Sequence, residues 1–396
     1  MTEQAKVPEI RFAGFTDPWE QRKLGELFEE SDERASDREI LSVSVANGIY
    51  PASESDRETN PGASLANYKI VHFGDVVYNS MRMWQGAVDA SRYDGIVSPA
   101  YVVARPNSEV YARFFARLLR QPMLLKQYQQ VSQGNSKDTQ VLKFDDFASI
   151  GISMPASENE QRRIGGFFDR LDSLITLHQR KYDKLVVFKK SMLEKMFPKD
   201  GESVPEIRFA GFTDPWEQRK ASEVFQIVDD RGHPTLPVLS ATQNQGMIYR
   251  DDSGRYIGHD ESNEIGYKRV LPGDFVVHLR SFQGGFAHSQ YEGITSPAYT
   301  VFRAKEPTSH SDRFWKHWFM SEHFIAGLST VTYGIRDGRS ISVDEFMNTF
   351  LAFPAVEEQA AISRLFDYLD DLITLHQRKL ELLQNIKKSL LDKMFA

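Results

Sequence analysis

The sequence predicts an α+β protein made of two tandem copies of one unit, each a mixed α/β domain followed by a long helix. Two observations carry this prediction. Whole segments recur nearly 200 residues apart, and apolar side chains near the end of each copy recur at the spacing of a coiled coil. We therefore expect the two long helices to pair as an antiparallel coiled coil with pseudo-twofold symmetry.

The repeat is exact over two stretches of the chain. Val7–Lys23 recurs unchanged at Val204–Lys220, and Leu174–Lys181 recurs at Leu372–Lys379. Solenoid repeats are much shorter than this period, so the period indicates tandem domains. The sequence thus predicts four segments: two domains at 1–155 and 201–354, and two helical segments at 156–200 and 355–396.

Between the identical stretches the two copies share mainly turn residues. The shared positions are Gly74-Asp75 with Gly273-Asp274, Gln85-Gly86 with Gln283-Gly284, and Ser98–Tyr101 with Ser296–Tyr299. Runs with strand character are Ile70–Tyr78, Ile96–Val103, Val270–Leu279 and Ala298–Arg303, and helical runs are Val110–Val131 and Asp312–Leu328. This pattern indicates one framework that carries different surface residues in each copy.

Each copy ends with a heptad-like helix. Ser157 and Glu160 have the spacing of a capping box. The apolar seam consists of Leu171, Ile175, His178, Tyr182, Leu185, Met192 and Met196, and of Leu369, Ile373, His376, Leu380, Leu383, Leu390 and Met394. A helix from Asp169 to Phe197 would be about 43 Å long. The alternative is that each helix packs only on its own domain.

Composition excludes several classes of protein. The 396 residues contain no cysteine, which excludes disulfides, thiolate zinc sites and cysteine nucleophiles. No stretch approaches 18 consecutive apolar residues, and the N-terminus lacks the apolar run of a secretory signal. We expect a soluble cytoplasmic protein.

Motifs of enzymatic chemistry are missing from the sequence. Ser98–Tyr101 and Ser296–Tyr299 resemble the loop with which amino-methyltransferases hold a base, but they lack its second proline and no cofactor loop accompanies them. A framework turn is the favoured interpretation. His178 and His376 fit polar seam positions that set the helix register better than a metal pair. We expect no catalytic residue and no metal site, and we expect Trp19 and Trp216 to pack in the scaffold.

Charge is distributed unevenly within each copy. The net charge is -7, yet Glu26–Asp75 holds 4 Lys or Arg against 11 Asp or Glu, whereas Tyr78–Lys143 holds 9 against 4. Ile265–Val343 holds 9 against 6. The basic later half of each copy favours a side that faces DNA, because phosphate contacts require cations.

These residues carry a family resemblance over essentially the whole chain. The opening Val7–Lys23 resembles the start of Type I restriction-modification specificity subunits. So does the end of each copy, where Met154-Pro155 leads to Glu160-Gln161, and Phe353-Pro354 leads to Glu358-Gln359 and Ile362. The resemblance implies two target-recognition domains, each reading one half of a bipartite, asymmetric site in double-stranded DNA.

The same resemblance implies the partners of the chain. The long helices would form a spacer that fixes the distance between the half-sites and would recruit two modification (methyltransferase) subunits. Those subunits would bind S-adenosylmethionine and methylate adenine, and restriction subunits would supply an ATP- and Mg-dependent endonuclease and translocase. We expect no cofactor in this chain. The alternatives are a stand-alone two-domain DNA-binding regulator, which would usually read a palindrome through identical halves, and an assembly scaffold without DNA contact.

Candidate DNA-reading residues are polar side chains at positions where the two domains share a framework but differ in polar content, since Arg contacts guanine and Asn or Gln contacts adenine. In the first domain they are Asn79, Arg82, Gln85, Asn135, Ser136 and Lys137. In the second they are Thr242, Gln243, Asn244, Arg280, Gln283, Arg336 and Arg339. An exposed loop residue or a phosphate contact is the alternative role at each position.

Overall fold

The computed structural model describes residues 7–55, 65–134, 140–199, 201–242, 245–254, 261–278, 286–328, 332–333 and 340–395. The chain forms two compact units. Met1–Gln179 with Arg378–Ala396 forms the first unit, and Arg180–Gln377 forms the second. Each unit therefore contains one α/β domain and a part of both long helices, so the unit boundaries cut through the helical segments predicted at 156–200 and 355–396.

The first unit is built from short strands and three short helices before its long helix. The strands are β1 (Glu20–Lys23), β2 (Phe28–Glu30), β3 (Leu41–Ser44), β4 (Gly48–Pro51), β5 (Lys69–Val71), β6 (Val76–Asn79), β7 (Val88–Ala90), β8 (Gly95–Val97), β9 (Tyr101–Pro106) and β10 (Gly151–Met154). The helices are α1 (Ala112–Leu118), α2 (Pro122–Val131), α3 (Phe144–Ala148) and α4 (Glu158–Lys195).

The second unit repeats this order. Its strands are β11 (Glu217–Lys220), β12 (Phe225–Val228), β13 (Leu239–Thr242), β14 (Gly246–Tyr249), β15 (Lys268–Val270), β16 (Phe275–His278), β17 (Ala287–His288), β18 (Gly293–Thr295), β19 (Tyr299–Ala304), β20 (Thr332–Tyr333), β21 (Ser340–Ile341) and β22 (Phe350–Phe353). Its helices are α5 (Ala221–Val224), α6 (Asp312–Trp318), α7 (Glu322–Gly327), α8 (Val343–Asn348) and α9 (Val356–Met394).

Both units contain the same antiparallel sheet. The strand order is β2-β9-β6-β7 in the first unit and β12-β19-β16-β17 in the second. Strand pairs β1–β10, β3–β4 and β5–β8 recur as β11–β22, β13–β14 and β15–β18. The mixed α/β fold and the shared framework predicted from the turn residues are thus confirmed.

Alternation along β6 shows how the sheet separates two layers of core. Val76 and Tyr78 pack with the helices, whereas Val77 between them packs with the small strand pairs on the other face. Side chains of successive strand residues point to opposite faces, so an unbroken apolar run fits a strand buried on both sides.

The predicted helical runs in the domains are each interrupted. Val110–Val131 contains α1 and α2, and Asp312–Leu328 contains α6 and α7. Pro122 is the first residue of α2, where its missing N–H is tolerated but where it cannot continue a preceding helix. In the second unit, the Ser321 hydroxyl accepts the Phe324 N–H and starts α7 anew.

The two long helices pack together, as the heptad pattern predicts, and their seam side chains are buried or half-buried. In the first unit Lys387 on α9 forms an ion pair with Asp172 on α4, 2.6 Å apart. In the second unit the equivalent residues Lys189 and Asp370 form the same pair with the helices exchanged. Later residues of one helix thus meet earlier residues of the other, which makes the pairing antiparallel.

The end of each long helix is anchored by a repeated Lys-Met-Phe sequence. In the first unit the Phe395 ring centroid lies 5.4 Å from that of Phe114 and 6.0 Å from that of Phe168. In the second unit Phe197 packs against Phe314 and Phe366 at 5.6 and 5.7 Å. The helix predicted to run to Phe197 therefore ends at Lys195, because Phe197 turns into the core.

The identical opening segments fasten each domain to a long helix. The Arg11 guanidinium donates to both carboxylate oxygens of Glu160 at 2.8 and 2.6 Å, and Arg208 donates to Glu358 at 2.7 and 2.8 Å. The helix α4 begins directly after Ser157, where the capping-box spacing places its start, and Arg11 binds the Glu160 carboxylate. Trp19 and Trp216 are buried in the two cores, as predicted.

A glycine pair on α4 gives a test of the packing in the first unit. A Cβ at Gly165 would lie 2.9 Å from the Tyr111 ring and 3.0 Å from the Phe114 backbone nitrogen, whereas a Cβ at Gly166 would meet nothing within 4 Å. We expect Gly165→Ala to cost about 1–3 kcal/mol of stability through overpacking. Gly166→Ala should stabilise by about 0.5–1 kcal/mol, since alanine favours a helix over glycine. Thermal unfolding of the two variants measures the difference, and equal melting temperatures would contradict the close packing of α1 on α4.

Candidate nucleic-acid interface

The loop between β6 and β7 presents three of the predicted DNA-reading residues. Arg82 and Gln85 are exposed, and their side chains form no hydrogen bond or ion pair with the described part of the chain. Asn79 is half-buried, and its side-chain oxygen accepts the Met81 N–H at 3.0 Å. Arg82 and Gln85 are thus available to a ligand, whereas Asn79 shapes the loop.

The backbone of this loop is held firmly. Gly86 has φ +91°, a left-handed conformation that favours glycine. The Ser80 hydroxyl donates to the Ala100 carbonyl at 2.8 Å, and the Ser80 carbonyl accepts the Leu142 N–H at 2.8 Å. These bonds bring the β6–β7 loop, the turn at Ser98–Tyr101 and the base of the 133–141 hairpin to one end of the sheet.

Three further candidates lie in the sequence between Gln133 and Val141. Asn135, Ser136 and Lys137 lie outside the described residues. The hairpin base is described, because Gln133 and Val141 exchange two backbone hydrogen bonds of 3.0 and 2.8 Å. The structure therefore places this residue pair near Ser80, and a DNA-reading role for residues 135–137 stays a prediction.

Most candidates of the second unit also lie outside the described residues: Gln243, Asn244, Arg280, Gln283, Arg336 and Arg339. Thr242 is described, and its hydroxyl both donates to the Gly246 carbonyl at 2.8 Å and accepts the Gln245 N–H at 3.1 Å. The Thr242 hydroxyl holds the turn between β13 and β14, and any base contact by this residue stays a prediction.

The two Ser-Pro-Ala-Tyr sequences form turns of the same geometry. In the first unit the Tyr101 N–H donates to the Ser98 carbonyl at 2.9 Å, and in the second the Tyr299 N–H donates to the Ser296 carbonyl at 3.0 Å. Each turn leads directly into a central strand of the four-stranded sheet. The interpretation as framework turns is confirmed.

Most of the basic side chains that give the first domain its positive excess bind groups inside the unit. Five of its nine cations bind acids or backbone carbonyls: Arg92, Arg105, Arg113, Arg117 and Arg120. Arg82, Lys126 and Lys143 are exposed and form no ion pair among the described residues, and Lys137 lies outside them. The charge count therefore overstates the basic surface that is free to contact phosphates.

Several of these basic side chains form ion pairs between α1 and α4. Arg113 and Arg117 lie 2.8 and 3.0 Å from the Asp169 carboxylate, and Arg117 also lies 2.6 Å from Asp172. Such contacts orient the domain on the long helix. Sequence reasoning missed this role, although the acids recur as Asp367 and Asp370 in the second copy.

In the second unit His317 takes the place of Arg117. Its ring contacts Asp367 at 3.2 Å, and burial lowers the pKa of His317. Although burial opposes it, hydrogen bonds from His317 and Arg313 hold the pKa of Asp367 well below its usual range. His317, Asp367 and Asp370 lie close enough to hold a metal ion. Arg313, Lys316 and Lys189 already neutralise both carboxylates, so the cluster is an ion-pair network.

None of the described helices has the length and apolar character of a membrane span.

Comparison with known proteins identifies the class of domain. Residues 16–186 match the family described as the Type I restriction modification DNA specificity domain. The chain is 24% identical over 265 residues to the Type I restriction enzyme MjaVIII specificity subunit of Methanocaldococcus jannaschii. The aligned region covers 62% of this chain and 61% of that protein. It is 19% identical over 351 residues to the putative type I restriction enzyme MjaX specificity subunit of the same organism, which covers 83% of this chain and 79% of that protein.

A solved structure shows the same fold. The crystal structure of the Type-I restriction-modification system S subunit from M. genitalium aligns with a TM-score of 0.55 at 11% identity and covers 99% of each chain. The resemblance of the whole chain to Type I restriction-modification specificity subunits is confirmed.

Proposed function

We propose that this chain reads a bipartite, asymmetric DNA site for a Type I restriction-modification enzyme, with one half-site for each domain. The observation that carries the proposal is that the two units share their framework but differ in one pair of equivalent segments. Turns and strand order repeat in both units, whereas residues 133–141 and 333–341, which lie between equivalent helices, share almost no side chain. Equivalent scaffolds with different loops suit two readers of different sequences.

The partners of the chain follow from its exposed apolar side chains. On the paired helices, Leu174, Leu177, Leu382 and Ile386 of the first unit and Val187, Phe188, Tyr368 and Leu375 of the second are all more than a third exposed. An apolar stripe on an otherwise charged helix surface suits a protein partner. We assign this stripe to two modification subunits, which supply S-adenosylmethionine binding and adenine methylation. The paired helices then set the spacer between half-sites, and ATP-dependent restriction subunits join the assembly.

Gel filtration with the modification subunits tests this function. The chain should co-elute with them and bind specific DNA in the complex. Leu177→Glu with Leu375→Glu should weaken co-elution tenfold or more, since both side chains are exposed at equivalent positions of the stripe. Lys184→Ala, an exposed change on the same helix, is the matched control.

The outcomes of this experiment separate the alternatives. Specific DNA binding by the chain without partners would favour a stand-alone regulator. Assembly that leaves DNA binding unchanged would favour a scaffold. Full co-elution of the doubly substituted chain would contradict the apolar docking surface.

A further inference from the structure

Arg120 is a half-buried cation of the first unit that forms no ion pair among the described residues. It lies in the turn between α1 and α2, and burial lowers its pKa. Its Nε donates to the Gly86 carbonyl at 3.0 Å, and a terminal nitrogen donates to the Val45 carbonyl at 2.7 Å. Two backbone carbonyls thus bind a partly desolvated guanidinium, and these hydrogen bonds point to a positional role.

The two carbonyls belong to segments that are far apart in sequence. Gly86 closes the loop that presents Arg82 and Gln85, and Val45 lies in the turn between β3 and β4. One guanidinium therefore fixes this turn beside the predicted DNA-reading loop. Asn47, at the end of the turn, is exposed, and its side chain makes no hydrogen bond with the described residues.

The turn has a rigid backbone. The Asn47 N–H donates to the Ser44 hydroxyl at 3.0 Å, and Gly48 has φ +66°. A Cβ on Gly48 would collide with the Asp89 carboxylate. In the second unit the Gln245 N–H donates to the Thr242 hydroxyl at 3.1 Å, and Gly246 has φ +70°. The two turns share these flanking bonds.

All three residues of the turn differ between the two copies, whereas the two polar candidates of the β6–β7 loop recur. Val45-Ala46-Asn47 corresponds to Gln243-Asn244-Gln245, whereas Arg82 and Gln85 recur unchanged as Arg280 and Gln283. Residues that are common to both domains cannot make two half-sites different. The turn can make them different, because its residues differ between the copies. Its tether also differs, since Met320 occupies the position of Arg120 in the second copy.

We propose that the turn Val45–Asn47 is a second DNA-reading segment of the first domain, with Asn47 contacting a base edge and Arg120 acting as its positioning residue. This inference rests on the proposed function. The Asn47 carboxamide offers N–H donors and a carbonyl acceptor, the combination that matches adenine in the major groove. Arg120 aligns the turn with Arg82 and Gln85, so that both segments meet the same half-site.

Exchange of the turn tests the reading role. The variant Val45→Gln, Ala46→Asn, Asn47→Gln carries the turn of the second domain between the same flanking residues. In cells with the complete enzyme, the methylated motif should change at one or two base pairs of one half-site and stay the same in the other. Asn47→Ala should lower discrimination at one base pair about tenfold or more. Glu29→Gln, an exposed change on β2, should leave the motif intact.

Substitution of Arg120 tests the positioning role. Arg120→Met, which introduces the residue of the second copy, should lower discrimination at the same base pair. Arg120→Lys should lower it less, because lysine keeps the positive charge and N–H donors. A uniform loss of affinity for all sequences with a weaker salt dependence would instead make Arg120 a phosphate contact and overturn the assignment.

The inference can fail separately from the proposed function. If replacing Leu24–Met154 by the equivalent residues of the second unit leaves the motif unchanged, the proposed function fails. If that replacement changes the motif but Asn47→Ala retains the original motif and rate, only the inference fails. The Asn47 side chain is exposed and forms no hydrogen bond with the described residues, so Asn47→Ala is expected to fold and tests the inference even where the triple replacement does not fold.

Discussion

Replacing Glu358 with glutamine is expected to lower the stability of the second unit by about 3–5 kcal/mol. The Glu358 carboxylate is 1% exposed and accepts three hydrogen bonds, two from Arg208 and one from the Trp216 indole nitrogen at 3.0 Å. It also lies in the first turn of α9, where a negative charge is favoured by the helix dipole. Glutamine removes the charge and leaves the Arg208 guanidinium without its counter-ion.

Differential scanning calorimetry measures this effect. A loss of about 3 kcal/mol should lower the melting temperature of a unit of this size by about 6–12 °C. Glu357→Gln is the matched control, because Glu357 is the exposed neighbour on the same helical turn and should change stability by less than about 0.5 kcal/mol. Equal melting of the two variants would contradict the anchoring role of the Arg208–Glu358 pair.

Much of the fold could be predicted from the repeat. Identical segments and shared turn residues require equivalent folds, and both units show the same strand order. The heptad pattern predicted the helix pairing because a seam of apolar side chains must be buried against a partner. The ion pairs Lys189–Asp370 and Lys387–Asp172 were missed, although both residue types recur at the repeat offset.

Other features depend on contacts that a linear sequence does not display. The burial of Phe197 and Phe395 requires a core assembled from distant segments. Whether a basic residue is free or paired depends on which acids lie next to it in the fold. Asp169 forms ion pairs with Arg92, Arg113 and Arg117, which are more than 50 residues away in sequence. Net charge along the chain therefore predicted the free basic surface poorly.

The DNA-reading role of the candidate residues stays a prediction. Arg82 and Gln85 lie on an exposed loop that ends at a left-handed glycine between two strands. The turn at Val45–Asn47 was not selected in the first domain, although Gln243 and Asn244 of its equivalent were selected in the second, and the Arg120 hydrogen bonds that hold it beside that loop were not foreseen. Side-chain tethers of this kind leave no periodic signal in a sequence.

Duplicating the second domain is expected to make the DNA target symmetric. Replacing Leu24–Met154 with Ala221–Phe353 keeps β1, which matches β11 residue for residue, and keeps the acids Asp169 and Asp172 that correspond to Asp367 and Asp370. Gln161 and Gln359 make equivalent hydrogen bonds to the segment before α1 or α6. The inserted domain therefore finds on α4 the same contact residues that it has on α9.

Methylome sequencing of cells that carry the complete system with this duplicated chain tests the central claim most directly. If each domain reads one half-site independently, the methylated motif should contain two copies of the half-site that the second domain now reads, and the other half-site should disappear. A motif that stays unchanged, or one in which both original half-sites are lost, would contradict the claim that the two domains are independent readers of DNA.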